Sequence, residues 1–220
     1  MPGGGDGPAP GPNQPRSVHG GLSRRRFLGV GVGSLALSSL STSCLSAVAS
    51  PSGGSIPRQR LRQLGIIIGQ LPTGPHNAIT DVAGVTVGHE TIIKNDSVRT
   101  GVTVIIPHEG NLYQEKVMAA VHVTNGYGKA VGFTQIEELG TIETPIGLTN
   151  TLNTFSVADD ILGYMLAVPE HRGTVNPVVG ETSDVYLNDI GGLHVRPKHA
   201  VEAIQNAREG PVEEGAVGAG

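Results

Sequence analysis

The chain has 220 residues, 38% of them hydrophobic and 15% charged, with a formal net charge of −4. That is room for one core of ordinary domain size with length left for tails, and the acidic balance offers no electrostatic footprint for nucleic acid. Aromatic residues are 3% with no Trp, too few for a base- or sugar-stacking surface, while 33 glycines, many beside Val, Ile and Thr, point to tight turns and close backbone packing.

Met1 to Gly21 is a Pro/Gly-rich tail. SRRRFL, residues 23–28, has the form of a twin-arginine export signal, and an apolar stretch diluted by Gly and Ser follows up to Leu45. Ala47-Val48-Ala49 has the small-x-small form that signal peptidase cuts, so residues 1–49 read as a signal region and the mature chain is expected to start near Ser50. The apolar stretch is short for a bilayer span of about 20 residues, which favours a cleaved signal over an anchor and limits membrane contact to export. The expected destination is the periplasm or the exterior. GVGVGS follows arginines rather than a strand and is not a dinucleotide loop. The one cysteine, Cys44, lies inside this signal, so cleavage leaves no thiol; STSC resembles a lipoprotein box with Ser41 where Leu is usual, and lipidation is the lesser alternative.

Residues 50–63 read as a linker, and the globular part as 64–220. Leu64 to Ile68 is a short apolar run with the look of a strand. The alternation in Val82 to Ile93 predicts a strand kinked or bulged at Gly84 or Gly88. Gly101 to Pro107 is a β-branched run closed by proline, which suits a strand buried on both faces. Lys116 to Thr124 reads as another strand ending at Asn125-Gly126. Helices are predicted over Ser156 to Val168, with Ser156 as N-cap, and over Lys198 to Arg208. Glu137 and Glu138 precede Leu139-Gly140 at a helix end or loop and read as solvated. Strands early and helices late make an α+β sandwich the expected class.

Eight histidines stand at positions 19, 76, 89, 108, 122, 171, 194 and 199 with no ligand spacing among them, so no metal site is expected. No GxSxG elbow occurs, and Ser156 and Ser183 read as capping or turn residues. Three polar clusters remain: PHNAITD (75–81), ETPIGLTNT (143–151) and GETSDVYLND (180–189). Each places hydrogen-bonding groups in a tight loop beside a strand-like run, the usual setting of binding residues. The same side chains also serve to satisfy turn backbone, and the residues alone leave both readings open.

LPTGPHNAITDVAGVTVGH followed by TGVTVIIP, then ETPIGLTNT, VVGETSDVYLNDI and EEGAVGAG, resembles in order the P1 peptidase family, which comprises the L-aminopeptidase/D-esterase and β-aminopeptidase enzymes. The resemblance covers about Leu64 to Gly220. It implies a four-layer αββα sandwich, of the self-cleaving type shared with ornithine acetyltransferases, and a precursor cut before a serine that then serves as nucleophile and nearby amine base. It implies release of N-terminal residues from short peptides, amides or esters, no cofactor or metal, oligomeric assembly, and partnership with the chain's own downstream β chain. Among residues present, Tyr186 is the candidate oxyanion donor, since a phenol is a neutral donor at pH 7. Glu143, Asn150, Glu181 and Asp184 are candidates for holding the cationic substrate amine.

The sequence stops within the family's GxGTGM segment, so the implied nucleophile is expected beyond Gly220 and the sandwich to be incomplete at its C-terminus. Ala216 stands where many relatives carry Asn. The alternatives are a non-catalytic α+β binding or structural domain and an acyltransferase. PHNAITD is expected to position the strand that follows it at the edge of the active-site region.

Overall fold

The computed structural model describes residues 59–168 and 173–220, of which Leu61–Gly220 form one unit. The export signal, its cleavage point and Cys44 lie outside the described residues. In chain order the elements are β1 (Thr86–Lys94), β2 (Val98–Ile106), β3 (Val117–Met118), β4 (Ala130–Val131), α1 (Phe133–Leu139), β5 (Thr141–Ile142), β6 (Ile146–Asn150), α2 (Thr154–Leu166), β7 (Val178–Thr182) and α3 (His199–Gln205).

β1 and β2 form a nine-residue antiparallel hairpin in register from Thr86↔Ile106 to Lys94↔Val98. Asn95 turns it with φ +50°, a conformation that Asn tolerates because its side chain bonds locally. β2 then pairs antiparallel with β6, β6 parallel with β7, and β7 antiparallel with β4, giving the order β1-β2-β6-β7-β4. The parallel pair requires a crossover, and α2 provides it. β3 and β5 make a separate two-stranded sheet.

One face of the large sheet carries the core. Val98, Val102 and Val104 of β2, Ile92 of β1 and Val179 of β7 pack against Val157, Ile161 and Met165 of α2 and Ala200, Ala203 and Ile204 of α3. The buried positions of α2 recur as an apolar stripe at helical spacing, which is why those residues form a helix that seats on a sheet. Gly88 lets α3 approach: a Cβ there would run into the backbone of Ala203 and Ala207. The other face is covered in part by α1 and the small sheet, through Ile136, Ile142 and Val178.

The α+β expectation holds. Of the four layers, the described residues supply one helical layer, the large sheet and a partial cover on its second face. β2 is the double-buried central strand expected, and α3 falls within its expected span.

Several local expectations differ. Gly84, at φ +83°, turns the chain before β1 rather than kinking it, and β1 begins at Thr86. Lys116–Thr124 pairs only at Val117–Met118. Its alternation is real, since Val117, Ala119 and Val121 pack on the Ile136–Ile142–Val178 cluster, but beyond Met118 the pairing with β5 ends after one backbone bond, from Ala119 N to Gly140 O at 2.8 Å. Leu64–Ile68 forms no strand: a 3₁₀ turn, Leu61–Leu64, precedes it, and Ile66, Ile67 and Ile68 are exposed. Ser156 lies inside α2, because a 3₁₀ turn, Thr151–Asn153, runs straight into the helix and moves the cap back to Asn150. Glu137 and Glu138 belong to α1, a short helix bounded by left-handed glycines 132 and 140.

Candidate active site

In sheets with parallel strands, ligands bind outside the carboxyl ends. Here those ends are Asn150 and Thr182, partners in register on β6 and β7. Three of the polar residues singled out in the sequence, Glu181, Asp184 and Tyr186, lie at or just beyond the end of β7, and Asn150 lies at the end of β6 beside them.

Asn150 is 1% exposed and engaged by its own chain. Its Oδ1 accepts from Asn153 N (3.1 Å), and its Nδ2 donates to Thr100 Oγ1 (2.9 Å) and Asn153 Oδ1 (3.0 Å). Asn153 Nδ2 in turn donates to Val195 O at 3.0 Å, which ties β6 to the segment leading into α3. Asn150 therefore fixes the floor of the site.

The loop after β7 folds on itself, with Leu187 N and Asn188 N both donating to Asp184 O at 2.9 Å, and is pinned to the hairpin turn by Asp189 N donating to Ser97 O at 2.7 Å. It presents Val185, Tyr186 and Leu187 outward, Tyr186 at 98% exposure. Asp184 and Asn188 turn inward: both carboxylate oxygens and both carboxamide atoms are buried without a hydrogen-bond partner among the described residues. Buried polar groups are normally paired, so this pair marks where a further group is needed. Glu181 accepts from Lys129 N at 2.8 Å.

The last residues lie across the open face of the sheet. Gly218 N donates to Thr91 Oγ1 (2.7 Å) on β1, Ala219 N to Thr103 Oγ1 (3.0 Å) on β2, and Thr182 Oγ1 on β7 donates to Ala219 O. Gly101 leaves room for the crossing, since a Cβ there would collide with the Gly218 backbone. Thr103 Oγ1 also lies 2.9 Å from His89 Nδ1. Burial holds His89 below the usual histidine range, with Arg208 adding to the effect and Glu213 opposing it, so the ring is neutral at pH 7. Thr103 Oγ1 thus serves both the Ala219 amide and the His89 ring, a hydroxyl having two lone pairs and one proton to share between them. Thr182 lies in the GETSDVYLND cluster, whereas Thr91 and Thr103 were not singled out and His89 was weighed only as a metal ligand. The signal was the alternation of His89 with Thr91 and of Gly101 with Thr103, which sets polar or absent side chains on one face of the edge strand β1 and its neighbour β2.

Glu143 stands apart, ahead of β6 at the other end of the strand. It is 4% exposed, ion-paired with Lys116, and accepts from Asn176 N at 3.0 Å. Burial pushes its carboxyl up, but Lys116, the Asn176 amide and Gln135 together hold it below the ordinary 4.5. Glu143 thus fastens the small sheet to the approach to β7. Lys116 is more exposed than Glu143, so the two are not equivalent. Lys116→Met is expected to cost about 2 kcal/mol by stranding a buried carboxylate, and Glu143→Gln less, because Lys116 can turn to water. Since the folded carboxyl is the stronger acid, this contribution is present above pH 4.5 and fades as pH falls through the lower folded value; urea unfolding of both variants at pH 7 and pH 4 checks both statements.

The PHNAITD loop is organised by Asp81, whose carboxylate accepts from His76 N (2.8 Å) and Ala78 N (3.2 Å). The His76 amide foremost, against a smaller opposing effect of burial, lowers its pKa. Thr80 Oγ1 donates to Gly210 O at 2.6 Å, which ties the entry to β1 to the exit from α3. Among the described residues no three His, Cys, Asp or Glu side chains gather where they could hold a metal ion.

A model of peptidase family S58 matches residues 77–220. The chain belongs to this family. It is 41% identical over 169 residues to β-peptidyl aminopeptidase BapA of Sphingosinicella microcystinivorans, covering 73% of this chain and 42% of that protein. Among solved structures, the PH0078 protein of Pyrococcus horikoshii OT3 superposes with a TM-score of 0.69 at 52% identity, over 74% of this chain and 49% of that one. An L-aminopeptidase D-Ala-esterase/amidase of Ochrobactrum anthropi, described as a prototype of the serine aminopeptidases and a variant of the Ntn hydrolase fold, superposes at 0.66 with 36% identity, over 74% and 48%. The chain thus spans less than half the length of each of these relatives. The P1 peptidase resemblance read from the motifs is borne out.

Proposed function

We propose that this chain is the N-terminal portion of an exported serine-type aminopeptidase that releases N-terminal residues from short peptides, amides or esters. The observation that carries the reading is the loop after β7, which sets an unpartnered carboxylate, Asp184, two residues from an exposed phenol, Tyr186. A free amino terminus is cationic, and a carboxylate without a partner is the group it satisfies. Opening of Asp184 to the substrate ammonium would leave the first carbonyl on the side of the loop that carries Tyr186, whose hydroxyl then donates to the oxyanion of the tetrahedral intermediate. The nucleophile is a serine freed by self-cleavage, its own α-amine acting as the nearby base, and carried by a downstream β chain. Family membership, and relatives named as β-peptidyl and L-amino-acid aminopeptidases, support this reading. So do the outward Val185, Tyr186 and Leu187, an exposed apolar edge of the loop that suits a covering segment.

The assembled enzyme is expected to hydrolyse β-alanyl- or L-alanyl-p-nitroanilide and to spare the N-acetylated forms. Equal turnover of acetylated and free substrates would remove the amine-recognition role. Acyl transfer to a second amine in preference to water would favour the acyltransferase reading. Oligomeric assembly, implied by the resemblance, belongs to the same proposal.

Export by the twin-arginine route rests on SRRRFL and AVAS bracketing the apolar stretch. Arg24→Lys combined with Arg25→Lys is expected to retain the uncut precursor inside the cell, seen as the larger band on immunoblotting of fractionated cells. Unchanged export of the double variant would sink the route.

A further inference from the structure

We infer that Thr91, Thr103 and Thr182 form a hydroxyl seat that positions the glycine-rich segment Gly215–Gly220 for the aminopeptidase reaction, with His89 orienting the central hydroxyl. The inference rests on the aminopeptidase reading. The three hydroxyls come from three strands, β1, β2 and β7, and converge on two adjacent residues. Between them they hold Gly218 N, Ala219 N and Ala219 O, so three of the four backbone polar groups of these two residues are fixed by side chains of the sheet. Gly101 beneath and Gly218 above allow the segment to lie flat, and a Cβ at Gly218 would strike Thr103 Oγ1 and His89 Nδ1.

Two features separate positioning from mere stabilisation. Ala219 is buried, at 6% exposure, but belongs to neither apolar cluster of the fold, so its small methyl adds little packing and the hydrogen bonds set the segment's position on the sheet. Removing one hydroxyl therefore frees the segment and leaves the core intact. The seat is also continuous with the site: Thr182, which holds Ala219 O, is the last residue of β7 and opens directly into the loop of Asp184 and Tyr186. The segment and the loop thus share a strand end, and a shift in one is felt in the other. Displacement of a site wall by about 1 Å is enough to cost up to 10²-fold in turnover.

His89 completes the seat. With Ala219 N–H on Thr103 Oγ1, the 2.9 Å bond between Thr103 Oγ1 and His89 Nδ1 fixes the rotation of Thr103 about its side-chain bond, whichever of the two carries the proton. A hydroxyl so held presents its lone pair to the Ala219 amide in one direction only.

The test is made in the assembled enzyme with Thr103→Val, Thr103→Ser and Thr182→Val. Amide hydrogen exchange at Gly218 and Ala219 reads the seat, and steady-state kinetics on an aminoacyl p-nitroanilide read its role. Both Val variants are expected to exchange about tenfold faster at these amides. Their kcat is expected to fall by at least about tenfold, with KM and melting temperature close to wild type, and Thr103→Ser to restore both readouts. Unchanged exchange would show that the hydroxyls do not hold the segment. Faster exchange with undiminished kcat would leave the seat without a catalytic purpose and overturn the proposal, the aminopeptidase reading standing. A wild-type enzyme without hydrolytic activity would defeat the aminopeptidase reading itself, and with it the role of the seat.

Discussion

Asn150→Ala is expected to lower stability by about 3 kcal/mol, and Asn150→Asp to do no better. The Ala variant removes the oxygen that caps the 3₁₀ turn feeding α2, a loss of about 1 kcal/mol by the usual worth of such caps. It also strands the Thr100 hydroxyl and the Asn153 carboxamide, 5% and 1% exposed, each about 1 kcal/mol or more once its partner is gone. The Asp variant separates the two contributions. Aspartate caps as well as asparagine, but it would set an anionic oxygen where an N–H now donates to Thr100 Oγ1 and Asn153 Oδ1. Two acceptors would then face each other in a buried site. Urea midpoints with an unchanged m-value measure the effect. A stable Asp variant would show that the cap alone matters and that the Asn150–Thr100–Asn153 network is incidental.

The same residue shows how far the sequence could be read. Asn150 was visible as one polar residue in ETPIGLTNT, and its period-2 neighbours Ile146 and Leu148 had the alternation of a strand. Nothing local reveals that its partner is Thr100, 50 positions earlier and two strands' worth of folding away. The central hairpin was legible because β-branched runs carry their own bias to extended chain and their burial pattern repeats every second residue. α1 was not, because FTQIEEL has only two turns, and its limits are set by the left-handed backbone of Gly132 and Gly140 rather than by periodicity. Lys116–Thr124 misled for the opposite reason. Alternation reports a chain with one packed face, and a ladder needs a neighbour that the pattern cannot specify.

At the site, the loop carrying Asp184 and Tyr186 was visible as a polar cluster beside a strand-like run, but only the family resemblance gave those two residues roles. The seat beneath Ala219 was not. Threonine in a strand is what β-propensity alone would place there, and only the crossing of a segment more than a hundred residues later gives those hydroxyls a task. Glu143 shows the converse: an acid in a promising motif that the fold spends on Lys116 and Asn176.

The largest kinetic effect is expected from Tyr186→Phe. At 98% exposure the ring packs against nothing in the described chain, and neither its removal nor the loss of its hydroxyl should disturb the fold. A donor to a developing oxyanion acts only in the transition state, so its loss appears in kcat rather than in KM. In the assembled enzyme, turnover is expected to fall by about 10²-fold, the usual cost of one oxyanion donor. KM and melting temperature should stay near wild type. Asp184→Asn gives the complementary signature: it keeps the shape of the loop, removes the charge that holds the substrate ammonium, and should raise KM for free aminoacyl substrates. The two variants therefore separate along the two kinetic constants if the loop works as an amine clamp beside an oxyanion donor. Full activity in Tyr186→Phe would take the phenol out of the mechanism, whereas a lowered melting temperature alongside the lowered kcat would mean that the hydroxyl is bonded to the covering segment and acts by holding the site closed.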